Sequence, residues 1–182
     1  MVVKRKIFVL MIGLVMLVAC GGHNNPKVKM VTSMGDIYLE LYPEVAPMHV
    51  ENFLKLSKEG FYDGLMFHRV IDGFVIQGGC PNGDGTGGSG ENVPAEFNDS
   101  IHRDGTLSMA RAADENSASS QFFICLNRLE SLDNKYTVFG QTVEGLDVVH
   151  AIGKTPTTGR RGTPPNRPEE PVYIKRIEII KE

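Results

Sequence analysis

The sequence predicts a mainly β fold, an antiparallel barrel or sandwich of roughly eight short strands accompanied by two helices. Short stretches rich in β-branched and aromatic residues recur along the chain, and Gly, Pro or Asp separates them. Only two stretches space apolar residues as a helix does, so strands and helices do not alternate as in a parallel sheet. Since the chain has 182 residues, one domain with one core is expected.

The first hairpin and the first helix are clear in the sequence. Residues 28–32 and 37–41 alternate apolar and polar side chains on either side of a turn at residues 33–36, which predicts two antiparallel strands. A helix follows, because Pro47 suits its first turn and Gly60 suits its end. Apolar residues three and four positions apart give this helix one face to bury.

The other elements are predicted from short apolar runs that Gly, Asp or Pro interrupts. Further strands are expected over residues 67–71, 74–77, 106–110, 121–126, 136–141 and 172–180. A second helix is expected over residues 146–152, between Gly145 and Gly153. Composition predicts three loops, over residues 78–90, 112–120 and 155–171.

Composition and charge exclude several classes of function. Hydrophobic residues make up 41% and charged residues 23% of the chain, which is typical of a folded globular domain. The formal net charge is only −3 and like charges do not form long runs, so no nucleic-acid partner is expected. The chain has no H-E-x-x-H or C-x-x-C spacing, so neither a metal nor another cofactor is expected. The serine-hydrolase pattern G-x-S-x-G is absent as well.

A Gly-rich segment has the spacing of a phosphate-binding loop. Gly83, Gly85 and Gly88 match G-x-G-x-x-G, which in a dinucleotide site joins a strand to a helix. Apolar residues with helical spacing do not follow, so the segment is interpreted as a loop. Nucleotide binding is kept as an alternative that would require such a helix.

The N-terminus has the pattern of a bacterial export signal. Basic residues at positions 4–6 precede an apolar run over residues 7–19, which is shorter than the about 20 residues that a membrane-spanning helix needs. Residues 17–20, Leu-Val-Ala-Cys, resemble the lipobox, in which cleavage leaves the Cys as a lipid-carrying N-terminus. Cys20 is therefore the predicted lipidation site. The alternative is an ordinary signal peptide followed by an uninvolved cysteine.

These features predict the organisation and the location of the protein. Residues 1–19 are a signal peptide, residues 20–27 a lipidated tether and residues 28–182 the folded domain. Several acyl chains hold a domain durably at a membrane, so the protein is expected in the bacterial envelope, outside the cytoplasm and on the periplasmic face. Cys80 and Cys125 could pair there, although Cys125 is read more simply as a buried apolar residue.

One cation lies among apolar residues in the segment at residues 67–79, FHRVIDGFVIQGG. In a strand, Arg69 faces away from its two chain neighbours. If Phe67 and Ile71 share its face, the guanidinium lies on an apolar surface. Such an arginine is explained either by a structural ion pair or a snorkelling side chain, or by a role in binding or catalysis.

Three long segments resemble the signature sequences of one family. They are FHRVIDGFVIQGG, GTLSMARAADENSASSQFFICL and LDNKYTVFGQTVEGLDVV, at residues 67–79, 105–126 and 132–149. In order and spacing they are similar to the cyclophilin peptidyl-prolyl isomerases, and the resemblance extends over residues 31–179. It implies a closed eight-stranded antiparallel barrel capped by two helices, which agrees with the strand count above. It also implies isomerisation of the X-Pro bonds of proline-containing polypeptides.

The resemblance also implies a role for individual residues. Arg69 would be the catalytic group, and Gln77 and Gln121 would position the reacting bond. Ala110 and Arg111 would lie alongside the residue that precedes proline and would offer backbone hydrogen bonds to it. The walls of the proline pocket would be Phe74, Val75, Phe123, Leu132 and Tyr136.

The implied chemistry needs few groups. An X-Pro bond rotates over a barrier of about 18–20 kcal/mol because rotation breaks amide resonance, and no covalent bond is broken. A fixed donor aimed at the prolyl nitrogen binds the twisted transition state better than the planar ground state. A guanidinium is always protonated and its donors form a rigid fork, so Arg69 suits that task.

Four positions depart from the family pattern. Ser131 stands where many members carry a Trp that contacts cyclosporin, so weak cyclosporin binding, or none, is expected. Val75, Tyr136 and Arg111 stand in place of a Met, a His and an Asn. These changes alter the wall and the rim of the implied pocket, and with them the preference for substrate.

Two further hypotheses of function stand beside nucleotide binding. The first is a lipid-anchored, monomeric isomerase that assists the folding of exported proteins. The second is a module that binds proline-containing polypeptides but turns them over poorly, because its rim is altered. Turnover of an X-Pro peptide distinguishes the two.

Overall fold

A curled antiparallel sheet of eight strands forms the centre of the computed structural model, which describes residues 25–182. The strands are β1 (Lys27–Thr32), β2 (Asp36–Leu41), β3 (Arg69–Ile71), β4 (Val75–Gly78), β5 (Thr106–Met109), β6 (Phe122–Cys125), β7 (Val138–Glu144) and β8 (Ile174–Lys181). The helices are α1 (Pro47–Lys58) and α2 (Leu146–Gly153), and a 3₁₀ turn covers Glu130–Leu132. The predicted mainly β class with antiparallel strands and two helices is confirmed. No helix of the described residues is long and apolar enough to cross a bilayer.

The strand order across the sheet is β3, β4, β6, β5, β7, β2, β1, β8. The two edge strands are linked through the segments that precede them. Gly64 donates a backbone N–H bond to Ile174, whose own N–H donates to Leu65, and Phe67 donates to Val172. The eight strands therefore form a strongly curled sheet, and the segments before its two edge strands are hydrogen-bonded to each other over this short stretch.

Some predicted elements have shifted ends. The strand predicted over residues 67–71 begins only at Arg69. Phe67 is fully buried in the main core and packs edge-on against Phe122, so regular alternation starts after it. At the other end of the domain, β1 begins at Lys27, the last residue of the predicted tether.

Aromatic side chains around Phe53 of α1 fill the interior of the sheet. The centroid of the Phe53 ring lies 5.1 Å from that of Tyr62, 5.6 Å from that of Phe122 and 5.4 Å from that of Phe139. All four rings are fully buried. Aromatic contacts at these distances add to the free energy gained by burial, so this cluster holds α1 against the sheet.

The N-terminus of α1 is capped by a side chain from a distant loop. The N-cap residue, Ala46, has no side chain that accepts a hydrogen bond. Glu96 instead accepts the backbone N–H of Met48 at 3.1 Å and of His49 at 3.0 Å, and it contacts the His49 ring nitrogen Nδ1 at 2.7 Å. Burial lowers the pKa of His49, and the Glu96 carboxylate opposes that change. The carboxylate satisfies free helical N–H groups at the positive end of the helix dipole, so it fastens the loop to α1.

The short edge strand β3 is covered by the loop at residues 155–171. The Val70 N–H donates to the carbonyl of Asn166 at 2.8 Å. An uncovered edge strand would present its backbone groups to other chains, and this bond uses one of them. The loop therefore fixes the strand that carries Arg69.

We expect Phe53→Ala to lower the free energy of unfolding by about 3–5 kcal/mol, because the change leaves a cavity among three aromatic rings. Urea unfolding of a soluble form starting at residue 21 measures this loss. The matched control is Met48→Ala on the same helix, whose side chain is exposed and whose removal should change stability by about 0.5 kcal/mol or less. Equal effects of the two changes would contradict a core centred on Phe53.

Candidate functional site

Two neighbouring strands, β4 and β6, carry apolar side chains on both faces. Alternate residues of these strands enter the main core: Ile76, Phe122 and Ile124. The residues between them form a second buried apolar cluster: Val75, Phe123 and Cys125. Because successive side chains of a strand point to opposite faces, the second cluster lies on the face of the sheet that is turned away from the core.

The second cluster borders a cavity of about 170 Å³. The cavity is lined by Arg69, Phe74, Val75, Gln77, Ala110, Arg111, Phe123, Leu132 and Tyr136. The structure thus brings together the residues that the resemblance placed in one site, except Gln121, which does not line the cavity but contacts Gln77. The predicted lipidation site, Cys20, lies outside the described residues.

Arg69 is half-buried at the wall of this cavity. Its Nη1 donates to Gln77 Oε1 at 3.0 Å, and its guanidinium lies 5.8 Å from the centre of the Phe74 ring. Within residues 25–182 no carboxylate forms an ion pair with it, so a structural ion pair does not explain it. The apolar surface beside the guanidinium is Phe74, and the condition that Phe67 shares this face is not met, because Phe67 enters the main core.

Burial lowers the pKa of both basic side chains of this segment, but only one of them loses its charge at neutral pH. It lowers the pKa of Arg69, and the nearby Tyr136 opposes that change. Burial and the Arg69 charge together lower the pKa of His68 to about 4. At neutral pH His68 is therefore uncharged, and Arg69 carries the positive charge beside the cavity.

A chain of hydrogen bonds connects Arg69 to the Gly-rich loop. Gln77, which accepts from Arg69, donates through Nε2 to Gln121 Oε1 at 3.0 Å. Gln121 Nε2 in turn donates to the carbonyls of Gly85 at 2.9 Å and of Gly87 at 2.7 Å. The two glutamines therefore restrict the guanidinium to one position, with its remaining donors free to face the cavity.

The buried thiol of Cys80 holds the Gly-rich loop in place through two hydrogen bonds. Cys80 Sγ accepts the N–H groups of Gly85 at 3.2 Å and of Gly87 at 3.3 Å. Gly85 has φ +89°, and a Cβ on Gly87 would lie 3.0 Å from Pro81, so both positions favour glycine. No helix or strand occurs between β4 and β5, so the helix that a nucleotide site would require is missing. The spacing G-x-G-x-x-G here belongs to a loop that holds Gln121.

The two cysteines of the described residues are buried parts of the fold. Cys80 and Cys125 are both buried and unpaired, so the disulfide that the sequence left open is not formed. Cys125 lies in the second apolar cluster, and its burial raises the pKa of its thiol to about 12. It remains protonated near neutral pH and does not serve as a nucleophile.

A network around His102 supports the pocket wall from behind. The His102 ring stacks on Phe123, with the two centroids 6.0 Å apart and an interplanar angle of 18°. Its Nδ1 lies 3.1 Å from Asp133 Oδ1, which also accepts the His102 backbone N–H at 2.8 Å. Asp133 follows the wall residue Leu132 directly and is paired with Arg128, so one carboxylate connects two parts of the wall. The roles of His102 and Asp133 were not predicted from the sequence, since no local pattern indicates a contact across 31 positions.

Tyr136 and Arg111 form the rim of the cavity. The Tyr136 ring meets Phe123 edge-on, with centroids 5.7 Å apart. The Arg111 guanidinium lies 4.9 Å from the centre of the Tyr136 ring and donates to the carbonyl of Lys135, the preceding residue. Because Arg111 holds both the ring and the backbone beside it, the rim has a defined shape and a positive charge.

Asp133→Asn should lower the melting temperature at pH 7 by about 2–4 °C, because the pair with Arg128 and the contacts to His102 are weakened. The Arg128 contact lowers the pKa of Asp133 below its ordinary value. The stability it confers is therefore present above about pH 4–5 and is lost as the pH falls below about pH 4. Thermal unfolding followed from pH 7 to pH 3 should show the difference from wild type shrinking with acid. The control is Asp99→Asn, which changes an exposed carboxylate and should leave the melting temperature at pH 7 within about 1 °C of the wild type.

Comparison with known proteins identifies one family. The sequence profile described as cyclophilin type peptidyl-prolyl cis-trans isomerase/CLD matches residues 27–179. A peptidyl-prolyl cis-trans isomerase of Synechococcus elongatus is 54% identical over 123 residues, which are 66% of this chain and 84% of that relative. One from Helicobacter pylori is 50% identical over 125 residues, 66% of this chain and 76% of its own length. Some relatives are much longer, and the match covers 24% of one from Arabidopsis thaliana.

Solved structures give the same result. A crystal structure of a cyclophilin type peptidyl-prolyl cis-trans isomerase from Cryptosporidium parvum superimposes with a TM-score of 0.80 at 33% identity. The match covers 87% of this chain and 99% of that one. A second structure of that protein, determined in the presence of the dipeptide Ala-Pro, has a TM-score of 0.79 at 34% identity, with 86% of this chain and 99% of that one covered.

Proposed function

The chain belongs to the cyclophilin-type peptidyl-prolyl cis-trans isomerases, and we propose that Arg69 catalyses the isomerisation without forming a covalent bond to the substrate. The observation that carries this proposal is the position of the guanidinium. It is half-buried at the wall of an apolar cavity, is held by Gln77, and has no carboxylate partner among the described residues. Such a group is free to donate to a bound peptide.

The cavity selects a proline ring by size and polarity. Its volume of about 170 Å³ is below the about 300–1,000 Å³ of pockets that hold drug-sized ligands. Its walls are mostly aromatic and aliphatic: Phe74, Val75, Phe123, Leu132 and Tyr136. An apolar wall of this kind holds the ring and keeps water away from the amide, and the twisted amide is less polar than the planar one.

Arg69 provides the interaction that distinguishes the transition state from the ground state. In the planar amide the nitrogen lone pair is delocalised and accepts no hydrogen bond. In the twisted state the lone pair is localised, so an N–H of Arg69 can donate to it. The hydrogen bond that Arg69 donates to Gln77, which is itself bonded to Gln121, holds the guanidinium in place before the substrate arrives and lowers the cost of reorganisation.

We expect Arg69→Ala to lower kcat/KM for a short X-Pro peptide by about 100-fold to 1,000-fold, mostly through kcat, because the lost bond forms only in the transition state. Arg69→Lys should restore little activity, since an ammonium lacks the rigid fork that Gln77 holds. Exchange spectroscopy of the peptide by NMR measures the rate, and circular dichroism checks that each variant is folded.

The control for this experiment is Arg176→Ala, which removes an exposed arginine of β8 and should leave the rate unchanged. Full activity of folded Arg69→Ala would refute the catalytic role of Arg69. If wild type and variant bind the peptide yet both leave it at the uncatalysed rate, the chain is a module that binds proline-containing polypeptides.

We also propose that cyclosporin binds weakly. Ser131, which stands in place of the family's Trp, is exposed on the 3₁₀ turn beside Leu132. Its hydroxymethyl group offers much less apolar area than an indole ring. The rim on this side therefore provides little apolar contact for a large ligand.

The export signal and the lipobox-like sequence support a location in the bacterial envelope. We propose that the mature chain begins at Cys20, carries lipid there and acts outside the cytoplasm on the X-Pro bonds of exported proteins. Only residues 21–26 separate Cys20 from the first strand at Lys27. The proposed anchor would thus hold the domain close to the membrane surface.

Cys20→Ala in the full chain, expressed in a bacterium, should abolish incorporation of labelled palmitate and move the protein out of the membrane fraction. Cys80→Ser is the matched control, because this thiol is buried in the fold and its change should leave both readouts as in wild type. Palmitate labelling that persists in Cys20→Ala, or a wild-type chain that is not labelled, would overturn the lipid anchor.

A further inference from the structure

A polar cleft of about 420 Å³ adjoins the proline pocket. The two share Gln77, Ala110 and Arg111, so a peptide held in one continues directly into the other. The remaining lining of the cleft consists of small or uncharged residues: Gly85, Thr86, Gly87, Gly88, Gly90, Asn92, Ala112, Ser117, Ser119 and Gln121. Among these described lining residues, Arg111 alone is ionisable.

Arg111 is held rigidly where the pocket and the cleft meet. Its Nε and Nη2 donate to the Lys135 carbonyl at 3.2 and 3.0 Å. Its Nη1 donates to the carbonyls of Ala112 at 3.0 Å and Ala113 at 3.3 Å. Of the five N–H donors of a guanidinium, these bonds use four and leave one on Nη2. The charge is therefore fixed in place and retains a donor for a ligand.

Three carboxylates on the surrounding loops have partners of their own, and a fourth, Glu115, is exposed and forms no ion pair within residues 25–182. Asp84 accepts from the N–H of Thr86 at 2.8 Å and from its hydroxyl at 2.6 Å. Asp114 accepts the N–H of Asn116 at 2.9 Å, and Glu91 pairs with Lys55. In residues 25–182 no carboxylate forms an ion pair with Arg111, so its charge is available to a bound peptide.

The proposed contact between Arg69 and the prolyl nitrogen indicates which part of the peptide enters the cleft. If Arg69 donates to the prolyl nitrogen, the residues before proline leave the pocket on the side of Arg69 and its partner Gln77. Gln77 also lines the cleft, so the cleft receives side chains from the N-terminal side of the proline. This step rests on the isomerase mechanism proposed above.

We propose that Arg111 is a specificity-determining residue that selects substrates with an acidic side chain shortly before the proline. A Glu carboxylate in the cleft meets the Arg111 charge and its free donor, whereas a Lys side chain is repelled. Because this contact is the same in the planar and the twisted amide, it acts on KM and not on kcat. The substrate class is therefore X-Pro segments of acidic polypeptides.

The test uses three peptides that differ only in carrying Glu, Gln or Lys two positions before the proline. NMR exchange rates over a range of peptide concentrations give kcat and KM without an auxiliary protease. For the wild type we expect kcat/KM to be highest for Glu and lowest for Lys, with about threefold to fivefold between Glu and Gln, through KM. The difference should shrink as salt is raised from 20 to 300 mM, because the contact is partly exposed.

Arg111→Gln should abolish the order of the three peptides, and the control Arg176→Gln should preserve it. Arg111→Lys keeps the charge without the stacking on Tyr136, so it should retain part of the preference. Circular dichroism establishes that each variant is folded, and the salt dependence of the wild type tests the proposal without any substitution.

Each outcome bears on a different proposal. A wild type that isomerises all three peptides equally overturns the specificity role and leaves the isomerase mechanism intact. A preference that survives in folded Arg111→Gln also overturns it, since another cation then makes the selection. Failure of the wild type to accelerate any of the peptides overturns the proposed function itself.

Discussion

The site depends on two strands, β4 and β6, that contribute side chains both to the main core and to the cavity. A strand in a curled sheet commonly buries one face and leaves the other to water, but β4 and β6 are apolar on both. One set of alternate residues joins the main core, and the other set forms the walls of the cavity. Any shift of register by one residue would exchange the two sets, so the core packing of Ile76 and Phe122 also fixes Val75 and Phe123 at the pocket. The core thus determines the positions of these two pocket residues.

Much of the fold could be predicted because its signals are local. Alternation and turn residues indicated the strands, and Pro47 and Gly60 indicated the ends of the first helix. Phe67 was misplaced because alternation was extended two residues beyond the true start of β3 at Arg69. Its burial follows from the backbone bond between Phe67 and Val172, which joins the two edges of the sheet and has no counterpart in local sequence.

The site was predicted in a different way. The cavity-lining residues came from resemblance to a family, since composition and spacing alone left Arg69 open to a structural explanation. The supporting residues were not found, because Glu96 caps α1 across 47 positions and Asp133 reaches His102 across 31. The G-x-G-x-x-G spacing is a clear local pattern, but it does not identify one function. Its glycines are needed for positive φ and close packing, and phosphate binding is only one of the reasons for such a need.

The strand order has a consequence for where a tether would join the domain. With the edges of the sheet joined, three strands separate β1 from β6 in either direction, so the two strands lie on opposite sides of the curled sheet. The chain enters through β1, and β6 carries Phe123 of the pocket. A tether to a surface would therefore join the domain across the curled sheet from the pocket. A short tether at that position would not obstruct polypeptides that enter the pocket.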